Sequence, residues 1–390
     1  MRSPNKRTVL LIAGCAALAL LSFFIIKAVV SNEDAAASTS AEDFALEMVS
    51  DSSTDEIDML HVYQQYSDKV TIDTNIPAFV PDSADLLYAS YVQIDEQMLV
   101  SMLMGGENPS REENSSCVTY FLDDGSYLSF ESGLVHYVNY ANYFHLKLAT
   151  ENFFTNYDYA YYRTYNPTFG EIYLRTELPF LSRKESVANV RKLLEQLPVT
   201  LSEETEVYAI DHETMQAYQN NVLQNDPSTA MNYTLKNTLT EDDDVYLICF
   251  WTQLNDLPVT AKDYDTLAQG RYIIGSSVEV FYSTKGVIKL TIKGAYQVQD
   301  IAESATNLLT AQQALDKVAK VQNTFISDET ITLVGCRLEY VGVPYNDTIS
   351  DVLLTPAWNI TVAHTLGTGD ESMTYCETIS INAVTGDEIK

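Results

Sequence analysis

The chain has 390 residues, 46% hydrophobic and 20% charged, which is apolar content enough for two or three packed domains. Its 54 acidic residues outnumber 23 basic ones, for a formal net charge of -31. That excludes nucleic acid as a partner, because phosphate binding needs a basic face.

Arg2, Lys6, Arg7 and Lys27 lie in the first thirty residues, where there is no acid, so 19 basic residues face 54 acidic ones in the rest of the chain. The apolar run from Thr8 to Ile26 predicts a transmembrane signal anchor over residues 8–30, since about 20 residues at a 1.5 Å rise span a hydrocarbon core of roughly 30 Å. The basic cluster ahead of it places residues 1–7 as a cytoplasmic tip and the bulk of the chain outside the cell. Two alternatives stand beside the anchor. Ile12-Ala13-Gly14-Cys15 has the form of a lipobox, with Cys15 as the lipidated residue, and the small residues around Ala35 to Ala37 suit cleavage of a secretory leader. Residues 31–58 are rich in Ala, Ser and acid, and predict a disordered acidic stalk with one weak helix near Phe44 to Val49.

Residues 59–180 read as a β-rich N-terminal module. A helical spacing of Ile94, Met98, Leu99 and Met102 ends at Gly105-Gly106. Three short strands then follow, 117–122, 127–131 and 134–140, separated by Asp123-Asp124-Gly125 and Ser132-Gly133, which is hairpin chemistry. Residues 181–300 read as a middle α+β module. Ser182 followed by Glu185 forms a capping box that opens a helix through Leu197. Strands are expected at 206–210 and 245–253, a second helix at 212–223, and a hairpin of 277–282 with 287–293. Residues 306–390 repeat the plan. Thr310 and Gln313 form another capping box, followed by strands at 330–341, 357–364 and 376–381. A helix followed by antiparallel sheet, occurring twice, is an α+β architecture.

Several residues of the last module carry a resemblance. Leu309-Thr310, Ala314 and Val318, then Leu338-Glu339-Tyr340, then Pro356-Ala357-Trp358, then Asn382-Ala383 with Gly386, resemble the PepSY-type modules of Firmicute cell-surface proteins. The likeness is greatest to the membrane-anchored YycH and YycI regulators and to related surface lipoproteins. It implies a capped helix on a small antiparallel sheet, with Pro356, Trp358, Asn382 and Gly386 as structural signature positions. It also implies a Gram-positive, non-enzymatic protein that binds or regulates another envelope or membrane protein, such as a sensor kinase or hydrolase.

Signatures of chemistry are sparse. His212-Glu213 begins like H-E-x-x-H, but Gln216 stands where the second histidine belongs. No G-x-S-x-G, G-x-x-x-x-G-K-[ST] or G-x-G-x-x-G occurs, so nucleotide binding is not expected, and no cofactor is implied. The acidic run Glu241 to Asp244 lacks the spacing of a calcium loop and reads as solvated. Cys117, Cys249, Cys336 and Cys376 read equally as buried thiols or as a framework in which Cys336 bridges Cys376. The stretch from Tyr137 to Tyr165 is dense in aromatics. Tyr137, Tyr140, Tyr157, Tyr159, Tyr161 and Tyr162 are candidates for a face that binds peptide or wall glycan, against the plainer reading of half-buried strand positions. A hydrolase using His212 or His136 remains the third alternative.

Overall fold

The computed structural model describes residues 59–77, 80–105, 108–154, 177–266, 271–325, 328–345, 351–367 and 373–389. The expected anchor at 8–30 and stalk at 31–58 lie outside them. Among the described residues no helix is long and apolar enough to cross a membrane. The protein is a mixed α+β structure, mostly sheet with few helices.

The described chain begins with a hairpin, β1 (Met59–Gln65) and β2 (Val70–Pro77), followed by β3 (Ser83–Tyr91). Helix α1 (Glu96–Leu103) starts at Asp95, whose carboxylate accepts from the Met98 N–H, as an N-cap should. The meander β4 (Ser110–Glu113), β5 (Cys117–Phe121), β6 (Tyr127–Glu131) and β7 (Leu134–Val138) turns at Gly125 and Gly133, both at positive φ. Helices α2 (Tyr140–Tyr143) and α3 (Lys147–Phe154) come next. The capping box of Ser182 and Glu185 then opens α4 (Arg183–Leu194).

Strand β8 (Leu201–Ile210) leads to α5 (His212–Asn225), and β9 (Val245–Leu254) to the short β10 (Leu257–Pro258), β11 (Tyr264–Thr266) and β12 (Arg271–Ile273). The expected hairpin is β13 (Ser277–Ser283) with β14 (Gly286–Lys293), after which β15 (Tyr296–Thr306) reaches the second capping box, Thr310 with Gln313, and α6 (Ala311–Gln322). Strands β16 (Thr330–Pro344), β17 (Asp351–Leu366), β18 (Met373–Asn382) and β19 (Glu388–Ile389) complete the described chain.

Sheet membership does not follow the three consecutive modules at 59–180, 181–300 and 306–390. The eight-stranded sheet A runs β1-β2-β16-β17-β18-β19, and β3 also pairs with β17 and β15. It therefore joins residues before 92 to residues after 295. The nine-stranded sheet B, from β4 to β10 with β13 and β14, is built from the intervening chain. Sheet B is in effect an insertion between β3 and β15. At the junction Val92 donates its N–H to the Ala295 carbonyl at 2.9 Å. Local periodicity reveals strands but not which distant strands pair, and these sheets pair strands far apart in the chain.

Sheet A buries one face under α6, where Ala314, Leu315, Val318 and Ala319 meet Ile72, Leu333 and Trp358. Sheet B is covered on both faces: α1 and α4 pack on Tyr120, Leu128, Ile248 and Leu290. Tyr143, Leu146 and Met215, from α2, the loop after it and α5, pack on Leu247, Phe281 and Ile288. Arg337 of β16 ties the two sheets together. It donates to Glu204 of β8, lies over the Trp251 ring of β9 at 5.3 Å, and stands 3.4 Å from Glu339.

Candidate functional site

The aromatic positions divide. Tyr137 faces Leu128 and Leu290 in register and is only 2% exposed. It is a core residue of sheet B and not part of a binding face, because β7 directs Val135 and Tyr137 inward by strand alternation. Tyr140 is half-buried, its ring stacked on Phe144 at a centroid distance of 4.1 Å. Tyr157, Tyr159, Tyr161 and Tyr162 lie outside the described residues.

Pro356, Trp358, Asn382 and Gly386 converge on one clasp. The indole N–H of Trp358, fully buried, donates to the Leu309 carbonyl at 2.7 Å, just before the α6 cap. Leu309 in turn donates its N–H to Ala383, and Ala383 to Pro356. The Asn382 side chain accepts from the N–H groups of Val384 and Thr385 at 2.8 and 3.0 Å. Gly386, at φ +78°, closes the turn, and its carbonyl accepts from Lys317 of α6 at 2.9 Å. These residues tie the helix start to the last strands, and their role in this geometry is structural.

The densest acid–base constellation sits where β8 ends and β9 begins. Asp243 and Asp244 are not solvated, as the sequence suggested, but buried, with side chains 5% and 2% exposed. A turn opened by Thr240 aims the first carboxylate inward, where it accepts from Lys236 at 2.6 Å, from His145 Nε2 at 2.8 Å and from the Thr240 N–H at 2.8 Å. Burial pushes the Asp243 carboxyl up, but those donations outweigh it and hold the group below its ordinary range. Asp244 accepts from both the backbone N–H and Nδ1 of His212, at 2.7 and 2.8 Å. Burial keeps Asp244 above its usual value, while its carboxylate outweighs the burial of His212 and raises the imidazole.

Chemically, His212 is an imidazole oriented by a carboxylate, which is half of an acid–base dyad. A nucleophile would have to come from elsewhere. Cys249 lies four residues beyond Val245 along β9, roughly 13 Å from the start of that strand at about 3.3 Å per residue, and is 3% exposed. The sequence signal for this site was present in His212 and in the acidic run, but the partnership of two aspartates with His145, Lys236 and His212 is tertiary. His136, the other candidate base, bonds Thr291 at 3.0 Å on the far part of sheet B.

A second histidine constellation has no sequence motif. His364 of β17 is 6% exposed and sits between Glu329 and Glu377, at 3.0 and 3.1 Å from its two ring nitrogens, with Tyr375 stacked at 4.7 Å. Among the described residues no group of three or more His, Cys, Asp or Glu is arranged to hold a metal ion.

None of the four described cysteines is joined in a disulfide. Cys336 of β16 stands opposite Ile360 and Cys376 of β18 opposite Ala363, so β17 runs between them. Two strand spacings of about 4.8 Å exceed the Cα separation a disulfide spans, so of the two readings of these cysteines the structure has thiols and not a Cys336–Cys376 bridge. Cys15 lies outside the described residues.

No family model and no curated relative matches the chain. Among solved structures it is similar to an uncharacterised protein from Eubacterium rectale ATCC 33656, with a TM-score of 0.60 and 15% sequence identity over 85% of this chain and 93% of that one. At that identity the likeness is one of fold.

Proposed function

We propose that this chain is a membrane-anchored extracytoplasmic protein that binds or regulates another cell-envelope protein, a sensor kinase or a hydrolase, without catalysing a reaction itself. The N-terminal order of basic tip, apolar run and acidic bulk supports the anchor and its orientation. One observation carries the non-enzymatic reading: the Asp243 carboxylate is buried and held by Lys236, His145 and the Thr240 N–H, so it serves to staple separate parts of the fold together. The capped helix α6, packed on β16 and β17 as well as on β2, supports a PepSY-like reading of residues 306–390. Crosslinking in intact cells, followed by recovery of the full chain, should capture a membrane or envelope protein; recovery of none would overturn the proposal.

A hydrolase is the second reading, favoured by the His212–Asp244 dyad. Under that reading, turnover by the purified chain should vanish in His212→Gln with folding retained.

A further inference from the structure

The sheet margins of this protein are unequal. A free edge strand is a template for pairing with another chain, and proteins blunt such edges with charges, register breaks, proline or brevity. Strand β15 carries Asp300, Glu303 and two register breaks. Strand β8 carries Glu203, Glu204, Glu206 and a break between Leu201 and Thr205. Strand β4 is four residues long and holds Arg111, Glu112 and Glu113. The outer margin of β18 has β19 against it, and its Thr378 carbonyl accepts from Lys262.

Strand β1 has none of these devices. Its seven residues, Met59-Leu60-His61-Val62-Tyr63-Gln64-Gln65, contain no carboxylate, lysine, arginine or proline, and its register with β2 is unbroken. Met59, Leu60 and Tyr63 are 49%, 54% and 65% exposed. Among the described residues only β2 pairs with it, so alternate backbone N–H and C=O groups point away from the sheet. Asp55, Glu56 and Asp58 precede this strand in the sequence, and its hairpin holds Asp68, Lys69 and Asp73, the last 3.4 Å from His61.

We infer that β1 is a strand-addition edge, and that its occupant is an extended segment of the partner protein with alternating apolar residues and flanking lysine or arginine. Main-chain pairing supplies affinity in this mode and side-chain alternation supplies selectivity. The acids that precede the strand in the sequence and the chain's net charge of -31 favour a basic segment and disfavour a second copy of the same chain. The inference rests on the binding reading above and specifies where and what that partner offers.

The test uses the full chain in detergent and a short fluorescent peptide of alternating valine and lysine. Saturable binding is expected. It should be lost when alternate peptide nitrogens are methylated and when glutamate replaces lysine. It should weaken about tenfold, or 1.4 kcal/mol, when Met59, Leu60 and Tyr63 are all changed to Thr, with circular dichroism unaltered. No binding by the unaltered chain, or equal binding of the methylated peptide, would overturn the inference. Dimerisation in sedimentation that disappears in the threonine variant would assign the edge to a second copy and overturn it as well. Crosslinking in intact cells separates this inference from the reading beneath it. Equal capture of one envelope protein by the unaltered chain and the threonine variant defeats the edge alone, whereas no capture by the unaltered chain defeats the binding reading.

Discussion

Tyr91 and Tyr296 stand opposite each other across β3 and β15 and stack with ring centroids 5.0 Å apart, at the two points where the chain leaves sheet A and returns to it. The return passes through Gly294, at φ +53°, where an added Cβ would lie 2.3 Å from the Gly275 carbonyl oxygen. Gly286, in the β13–β14 turn at φ +83°, has nothing within 4 Å of that position. Gly294→Ala should therefore cost about 3 kcal/mol or more through backbone collision, and Gly286→Ala only about 1 kcal/mol of conformational strain. Denaturant midpoints of the two variants compare them directly, and equal losses would contradict the close approach at the junction.

Arg337 and Glu339 make a second contrast. Glu339 is 1% exposed, and its carboxylate accepts from Asn359 Nδ2 at 2.5 Å and faces the Arg337 guanidinium. Glu204, the other acid on Arg337, is solvent-exposed. Glu204→Gln should change stability by less than about 1 kcal/mol. Arg337→Ala should cost about 3 kcal/mol, because it deprives a buried carboxylate of its cation and removes the contact with Trp251. Adding Glu339→Gln to Arg337→Ala should restore part of that loss, measured as a double-mutant cycle in urea.

The pH response of His136 has a defined sign. Burial, reinforced by the nearby Lys289 and Lys147 ammonium groups, depresses its imidazole to about 4. The folded chain thus keeps the ring neutral where the unfolded chain, titrating near 6.5, takes up a proton. Stability from this group is whole above about pH 6.5 and falls as pH drops toward 4, by on the order of 3 kcal/mol. Unfolding free energies between pH 4.5 and 7.5 should show a shallower slope in His136→Gln; an unchanged slope would place the ring in water.

Thiol chemistry follows from strand order. Burial raises the Cys336 thiol far above its ordinary value and pushes Cys376 up to about 11. Neither is a ready thiolate at neutral pH. In the native chain Cys336 should resist alkylation until the sheet opens. Mass analysis of the unreduced protein should find no Cys336–Cys376 peptide, and reductant should leave the melting temperature unchanged.

Much of the fold was legible locally. The capping boxes at Ser182 and Thr310 formed as read, because a cap depends only on residues three apart. The meander of β5, β6 and β7 and the β13–β14 hairpin also formed, since their turns and alternation are short-range. The joining of β3 to β15 and β17 was not legible, because partners some two hundred residues apart leave no local period. The same limit explains the site. His212 and the run ending in Asp244 stood out singly in the sequence, but a buried aspartate and a solvated one are identical letters. Only the turn at Thr240 and the meeting of β8 with β9 distinguish them.

Net charge, the order of basic tip, apolar run and acidic bulk, and the positions of caps and hairpin turns are thus properties of the sequence, because each depends on composition or on neighbours within a turn. Which strands share a sheet, that Tyr137 is core, that Cys336 and Cys376 are divided by β17, and that among the described residues β1 is paired on one side only were decided by tertiary structure, because burial and pairing are relations between distant segments that exist only once the chain has closed on itself.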